Sequence, residues 1–165
     1  MAIVNVWGTM GTAIEFMQTA TEEEPLLNCK GILSVRPNQL VTPGGLSLWY
    51  PDLTTIYPDN SYDYPEVTYG NSKTRYRIYS GKMAENCVQH LARNVVMYQM
   101  LDISKLPDTI VVGTVHDEVL ALVPEELAEE RLNQMIEIMR TPPSWAPDLP
   151  LDAEGDIADN YGDAK

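Results

Sequence analysis

A chain of 165 residues, 44% apolar and 21% charged, has the material for one domain with a real core and excludes wholesale disorder. Its 24 acidic against 11 basic residues give a formal charge of −13, a balance that repels nucleic acid in bulk, because duplex binding ordinarily shows a basic footprint. Cys29 and Cys87 lie far apart, lack a CxxC companion and could not complete a zinc site without other ligands, the only histidines being His90 and His116, so they read as reduced thiols.

The start, Met1 to Gly8, carries no basic stretch of the signal-peptide kind, and no apolar run approaches the ~20 residues that span a bilayer. A cytoplasmic protein without a membrane partner is expected. Ile3 to Thr21 reads as a helix weakened by Gly8 and Gly11, ended at Glu22-Glu23-Glu24-Pro25 because proline removes a donor and restricts its predecessor. From Leu26 to Tyr79 short apolar stretches alternate with turn clusters such as Thr42-Pro43-Gly44-Gly45, the composition of a β-meander. Tyr69 to Tyr79, with Lys73, Arg75 and Arg77, is the most basic stretch and predicts a hairpin strand.

The strongest helix follows, with Met83, Cys87, Leu91, Val95 and Tyr98 as its apolar stripe and Asn86, Gln89 and Arg93 on another face. Ile110 to Val123 is apolar and β-branched, interrupted only by His116-Asp117-Glu118, which predicts a buried hairpin bent at that triplet. Pro124 then opens a second helix, with Glu125 and Glu126 in its first turn and Leu127, Leu132, Met135, Ile136 and Met139 as its core face. Thr141-Pro142-Pro143 stops it, Trp145 is expected in the core, and Leu149 to Gly155 predicts a last strand. One α+β domain results: residues 1–25 a helix, 26–80 a β-rich segment, 81–165 a helix, hairpin, helix and strand, in which an antiparallel sheet is backed by helices.

The triplet is where chemistry is expected. Adjacent carboxylates within an apolar hairpin are costly unless a cation or solvent neutralises them. A tip opening on a cleft meets that need, and oxygen ligands of this kind suit Mg²⁺, which keeps waters and takes one or two carboxylates plus phosphates. The plainer reading is a solvated hairpin turn. The triplet lacks the glycine, asparagine or proline that turn chemistry favours, so turn formation alone does not account for it.

The order of these elements, with the stretches Tyr79-Ser80-Gly81-Lys82-Met83-Ala84-Glu85-Asn86-Cys87-Val88-Gln89, Ala92-Arg93, Val115-His116-Asp117-Glu118-Val119, Pro124-Glu125-Glu126, Trp145-Ala146-Pro147-Asp148-Leu149-Pro150-Leu151-Asp152-Ala153-Glu154-Gly155 and Tyr161-Gly162, resembles the C-terminal palm of family A DNA polymerases, especially their phage-like branch. Thr42 to Pro51 looks like the segment where that branch carries a Leu-Pro-Ser-Gly-Arg element and a Tyr-Pro. The resemblance runs from about Val41 to the end.

It implies a polymerase palm fragment serving template-directed nucleotidyl transfer, with primer–template DNA and a deoxynucleoside triphosphate (dNTP) as partners. Asp117 would be a ligand to two Mg²⁺ ions, Glu118 a secondary acid near the primer end, and His116 a contact to the primer-terminal backbone. Asn86 and Gln89 would face the minor groove, where amide donors meet acceptors offered by every base pair. Arg93 extends that face toward a phosphate, and Lys82, Lys73, Arg75 and Arg77 are candidates for backbone contact. The Asp-Tyr-Ser-x-Ile-Glu type strand and the fingers helix of the family do not occur in this sequence, so a second polypeptide or a preceding part of the protein would have to supply them. The helix in residues 1–25 would then correspond to chain leaving the fingers.

Other functions remain in play. The fold could serve as a non-catalytic remnant that contacts DNA or docks a partner. An acidic DNA mimic is suggested by charge alone, but the acids gather at Glu22–Glu24, Glu125–Glu130 and the C-terminal tail, as helix-end and tail charge does. A metal phosphohydrolase built on His116 and Asp117 would need further histidines, and only His90 is left to join.

Overall fold

The computed structural model describes residues 2–163 apart from 27, 28, 30, 58 and 60–63. The chain is α+β, with three α-helices and antiparallel strands throughout. Among the described residues the strands form three separate sheets, of four, three and two strands. Contacts gather into two compact units, Met1–Leu91 and Ala92–Lys165.

In the first unit, α1 (Ala2–Thr19) buries Met10, Ala13, Ile14 and Met17, a spacing of three and four residues that places them on one face. Val6 and Trp7, one turn earlier, are exposed. Beyond the helix, Glu24–Pro25 does more than stop it. It forms β1, an edge strand beside β2 (Ser34–Arg36), where proline's missing donor costs no ladder bond. β3 (Gln39–Val41) and β4 (Ser47–Trp49) complete this sheet. Val35 pairs with Leu40 and Leu40 with Leu48; Val35 and Leu40 are wholly buried and Leu48 packs against the same core.

The β2–β3 reversal uses two residues, Pro37 and Asn38, with Asn38 at φ 59°. Proline followed by asparagine at positive φ is what a type II turn requires. Asn38 also ties the unit together: its N–H donates to Met17 O at 2.9 Å, its carbonyl accepts from Tyr50 N at 2.8 Å, and its Oδ1 accepts from Leu53 N at 3.2 Å.

β5 (Thr54–Ile56), β6 (Glu66–Gly70) and β7 (Arg75–Ile78) make the three-stranded sheet, so the basic stretch is a hairpin strand as expected. One face carries Val67, Ile78, Tyr69 and Tyr76, with Tyr69 edge-on to Tyr50 at 5.0 Å. The other carries Arg75 and Arg77. The first half of α2 (Ser80–Ile103) closes this core with Met83, Ala84 and Cys87. Burial raises the Cys87 thiol to about 11, with the Cys29 thiolate adding to the effect, and burial raises Cys29 as well. Both cysteines are free.

In the second unit, the remainder of α2 buries Asn94, Val95, Gln99 and Ile103. Tyr98, expected in the apolar stripe, is 42% exposed. β8 (Ile110–Val115) and β9 (Glu118–Leu122) form the hairpin, with a bulge between Val111 and Gly113. This hairpin is not buried, contrary to expectation: Ile110 is 65%, Val112 55% and Leu122 63% exposed. An antiparallel pair needs only one packed face: Val111, Thr114, Val119 and Ala121 are half-buried on one side, and on the other only the Gly113–Leu120 pair is.

Pro124 leads into a single 3-10 turn (Glu125–Leu127) before α3 (Ala128–Arg140), so Glu129 and Glu130 occupy the α-helix's own first turn. Arg131 is buried, and its Nε donates to Pro107 O at 3.0 Å. Gln99 Nε2 donates to Met139 O at 2.8 Å. Trp145 is half-buried. The last strand expected over 149–155 is absent: that segment has no ladder partner and is held by side chains instead, Arg140 Nε to Asp152 Oδ1 at 2.8 Å among them.

Leu40→Ala is expected to destabilise the first unit by about 2–5 kcal/mol, since it empties a fully buried site shared by two ladders. Urea unfolding measures the loss, and a cost below about 1 kcal/mol would contradict the packing described.

Candidate functional site

The hairpin register pairs Val115 directly with Glu118, leaving two residues, His116 and Asp117, to reverse the chain. His116 sits at φ 54°. Positive φ at the first of two loop residues is the pattern of a type II′ turn, a place that usually goes to glycine. Histidine is among the residues that visit this region more often, yet the conformation remains unfavourable, and such strain concentrates at functional positions. The triplet therefore sits at the tip of the hairpin, where His116, Asp117 and Glu118 are all exposed.

Among the described residues no lysine or arginine pairs with Asp117 or Glu118. Glu118 has one partner that sequence reasoning did not supply: Tyr161 Oη donates to its Oε2 at 2.8 Å, from 43 residues away. In sequence Tyr161 stands only within the Tyr161-Gly162 segment of the resemblance, and nothing in spacing links a tail tyrosine to a hairpin tip.

No group of three or more His, Cys, Asp and Glu residues that could hold a metal occurs among the described residues. The oxygen donors of the tip are the Asp117 and Glu118 carboxylates, which stand beside the His116 imidazole. That donor set suits a hard cation keeping most of its waters, and it does not make a closed cage. His90 does not join His116. In the first unit its Nε2 lies 3.0 Å from Thr42 Oγ1, which itself donates to Leu46 O at 2.9 Å, so the histidine nitrogen is the donor to the threonine. Burial holds His90 below the ordinary histidine range.

The residues expected to meet DNA divide into engaged and exposed. Asn86 Nδ2 donates to Tyr50 Oη at 3.0 Å, a buried phenol whose pKa is raised first of all by burial. Lys82 Nζ pairs with Glu85 at 3.0 Å, a carboxylate whose hydrogen bond raises the lysine pKa. Gln89 and Arg93 are exposed on α2. Of the basic strand, Arg75 is held by Asp52 and by the Thr68 hydroxyl, and Arg77 by Glu66 at 2.9 Å. Lys73 is exposed, and its backbone N–H donates to Asn71 Oδ1.

Elsewhere, seven carboxylates pair with a cation among the described residues: Glu23, Asp52, Glu66, Glu85, Asp102, Glu130 and Asp152. Glu23 takes Ser34 and Arg36, and the Ser34 hydroxyl followed by Arg36 holds its carboxyl below the usual range. Asp152 is lowered first by the Ala153 N–H and then by Arg140. Glu130 pairs with Arg131.

Over 87 residues the chain is 36% identical to a DNA polymerase of Bacillus phage SP02, a match covering 53% of this chain and 13% of that polymerase. The chain thus spans a small part of the length of the relative it matches. No protein-family model matches the chain. No solved structure matches it. Part of the chain is thus similar to a phage DNA polymerase. Among its described residues no helix is long and apolar enough to cross a membrane.

Two outcomes follow. His116→Val is expected to weaken the hairpin by about 1–2 kcal/mol, because a β-branched residue is disfavoured at positive φ, whereas His116→Gly leaves it as stable or more so. Hydrogen exchange of the β8–β9 amides distinguishes them. For His90, the unfolded chain takes up a proton near the ordinary value of 6.5, before the folded chain does. Stability from this group is therefore full above that pH and declines as pH falls toward the lowered folded value. His90→Gln should flatten that part of the unfolding pH profile, and an unchanged slope would count against it.

Proposed function

We propose that this chain is part of the palm of a family A DNA polymerase, contributing Asp117 to template-directed nucleotidyl transfer. The observation carrying the proposal is the exposed His-Asp-Glu tip, an acidic turn in a strained conformation with no cationic partner for Asp117 among the described residues. The partial identity to a phage DNA polymerase supports it.

On this reading Asp117 would hold Mg²⁺, with Glu118 as a secondary acid. When bound, the ions supply positive charge that stabilises the attacking and leaving oxygens of an in-line displacement. The chain's own work is positional. His116 orients the backbone at the primer end. Gln89 and Arg93, exposed on α2, meet minor-groove acceptors and phosphate. For Asn86 and Lys82 to do the same, each must exchange its present partner, Tyr50 or Glu85. These two are therefore assigned the lesser share.

The exposed apolar strip of Ile110, Val112 and Leu122 supports the need for a further polypeptide segment carrying the second carboxylate motif and the triphosphate grip. A two-stranded ribbon is marginal in water by itself, and further packing would stabilise it. A second reading, a DNA-contacting remnant without catalysis, draws on the absence of a three-ligand group among the described residues.

Primer extension separates them. The purified chain with Mg²⁺ is expected to extend no primer. Adding a polypeptide with the Asp-Tyr-Ser strand and fingers should restore synthesis, and Asp117→Asn in that mixture should lower it at least about a hundredfold, the scale of losing a group that stabilises transition-state charge. Robust extension by the chain alone would overturn the shared-site reading. Full activity of the Asp117→Asn mixture would overturn the role of Asp117 and favour the remnant.

A further inference from the structure

The second unit ends in a tail that has no helix or strand and yet is fixed at successive points. Asp152 is gripped by Arg140 at 2.8 Å and accepts the Ala153 N–H at 2.9 Å. Three residues on, Gly155 lies against α3, where a Cβ would sit 2.7 Å from Leu132 Cδ1, the end of a flexible side chain that would have to move aside. The segment then closes a turn at Asn160. Its Oδ1 accepts from Gly162 N at 3.0 Å, its Nδ2 donates to Asp163 Oδ2 at 2.5 Å, and Asp163 N donates to Asn160 O at 3.2 Å. Inside that turn stands Tyr161, whose phenol donates to Glu118 Oε2 at 2.8 Å.

We infer that Tyr161 is a positioning residue for the tip: the tail holds its phenol against one oxygen of Glu118, so that this carboxylate is already ordered when the tip takes up a cation. The inference rests on the reading of Asp117 and Glu118 as cation-binding acids. A phenol donates one proton and occupies one of about four lone-pair positions of a carboxylate, so coordination capacity remains. A free glutamate at a hairpin tip loses the freedom of its rotatable bonds on binding, and an anchored one has lost it beforehand. A hydrogen bond between two accessible side chains adds little to folding, which separates positioning from mere stability.

The probe is Mn²⁺ added to the full 165-residue chain, followed by paramagnetic broadening of the amide signals of residues 116–118. Tyr161→Phe should weaken apparent Mn²⁺ affinity about three- to tenfold, the size expected from lost preorganisation, with the urea midpoint unchanged. In metal-free protein the Glu118 carboxyl carbon shift should move in Tyr161→Phe. Equal or tighter binding by Tyr161→Phe, while Asp117→Asn abolishes broadening, overturns the role of Tyr161 and leaves Asp117 standing. A Glu118 signal that ignores Tyr161→Phe overturns it without reference to any metal. No broadening at the tip of the unaltered chain overturns cation uptake by this tip alone and, with it, the positioning role, while the shared-site reading is judged by primer extension.

Discussion

A two-residue reversal between Val115 and Glu118 is the constraint on which the candidate site depends. With the ladder closed that far, His116 must take positive φ and Asp117 must leave the strand, so no side chain of the triplet can retreat into an apolar layer. The same closure makes Glu118 the first residue of β9, within reach of the tail's phenol. A longer loop would have relieved the backbone, but it would have left the acids on a mobile segment. Strain of this kind costs on the order of 1–3 kcal/mol and persists where surrounding structure enforces it. Here the enforcing structure is the β8–β9 ladder.

Charge distribution gives that tip its meaning. A chain at −13 is a poor general ligand for nucleic acid, and much of its positive charge is already committed: Arg36, Arg75, Arg77, Lys82, Lys105, Arg131 and Arg140 each face a carboxylate. Exposed pairs of this sort contribute roughly 0–1 kcal/mol each, so their main effect is local neutralisation. Asp117 lacks such neutralisation among the described residues, and Arg93 forms no ion pair among them. A site that works on phosphate would need more positive charge than these units supply, which is why a further polypeptide carries weight in the proposed function.

The order of elements was legible in sequence because each rests on local pattern. Stripes at three- and four-residue spacing marked α1, α2 and α3, the proline and glycine clusters marked the meander, and the polar triplet marked the hairpin tip. Burial was less legible. An apolar, β-branched run looks the same whether one face or both are covered, so Ile110 to Val123 read as buried although Ile110 and Leu122 are open to solvent. Leu149 to Gly155 likewise has strand composition but finds no partner strand, and partners are non-local.

Sequence by itself determined the α+β class and the placing of His116, Asp117 and Glu118 at a turn, and carried the resemblance from which their role is proposed, because residue type and short-range spacing suffice for these. Tertiary structure alone decided which of the expected contacts are committed elsewhere: Asn86 to Tyr50, Lys82 to Glu85, Arg75 to Asp52 and Thr68, His90 to Thr42. It alone brought Tyr161 to Glu118. Most of these pairs join residues tens of positions apart, and a hydrogen bond requires donor and acceptor within about 3 Å, a condition that only the folded path of the chain can meet.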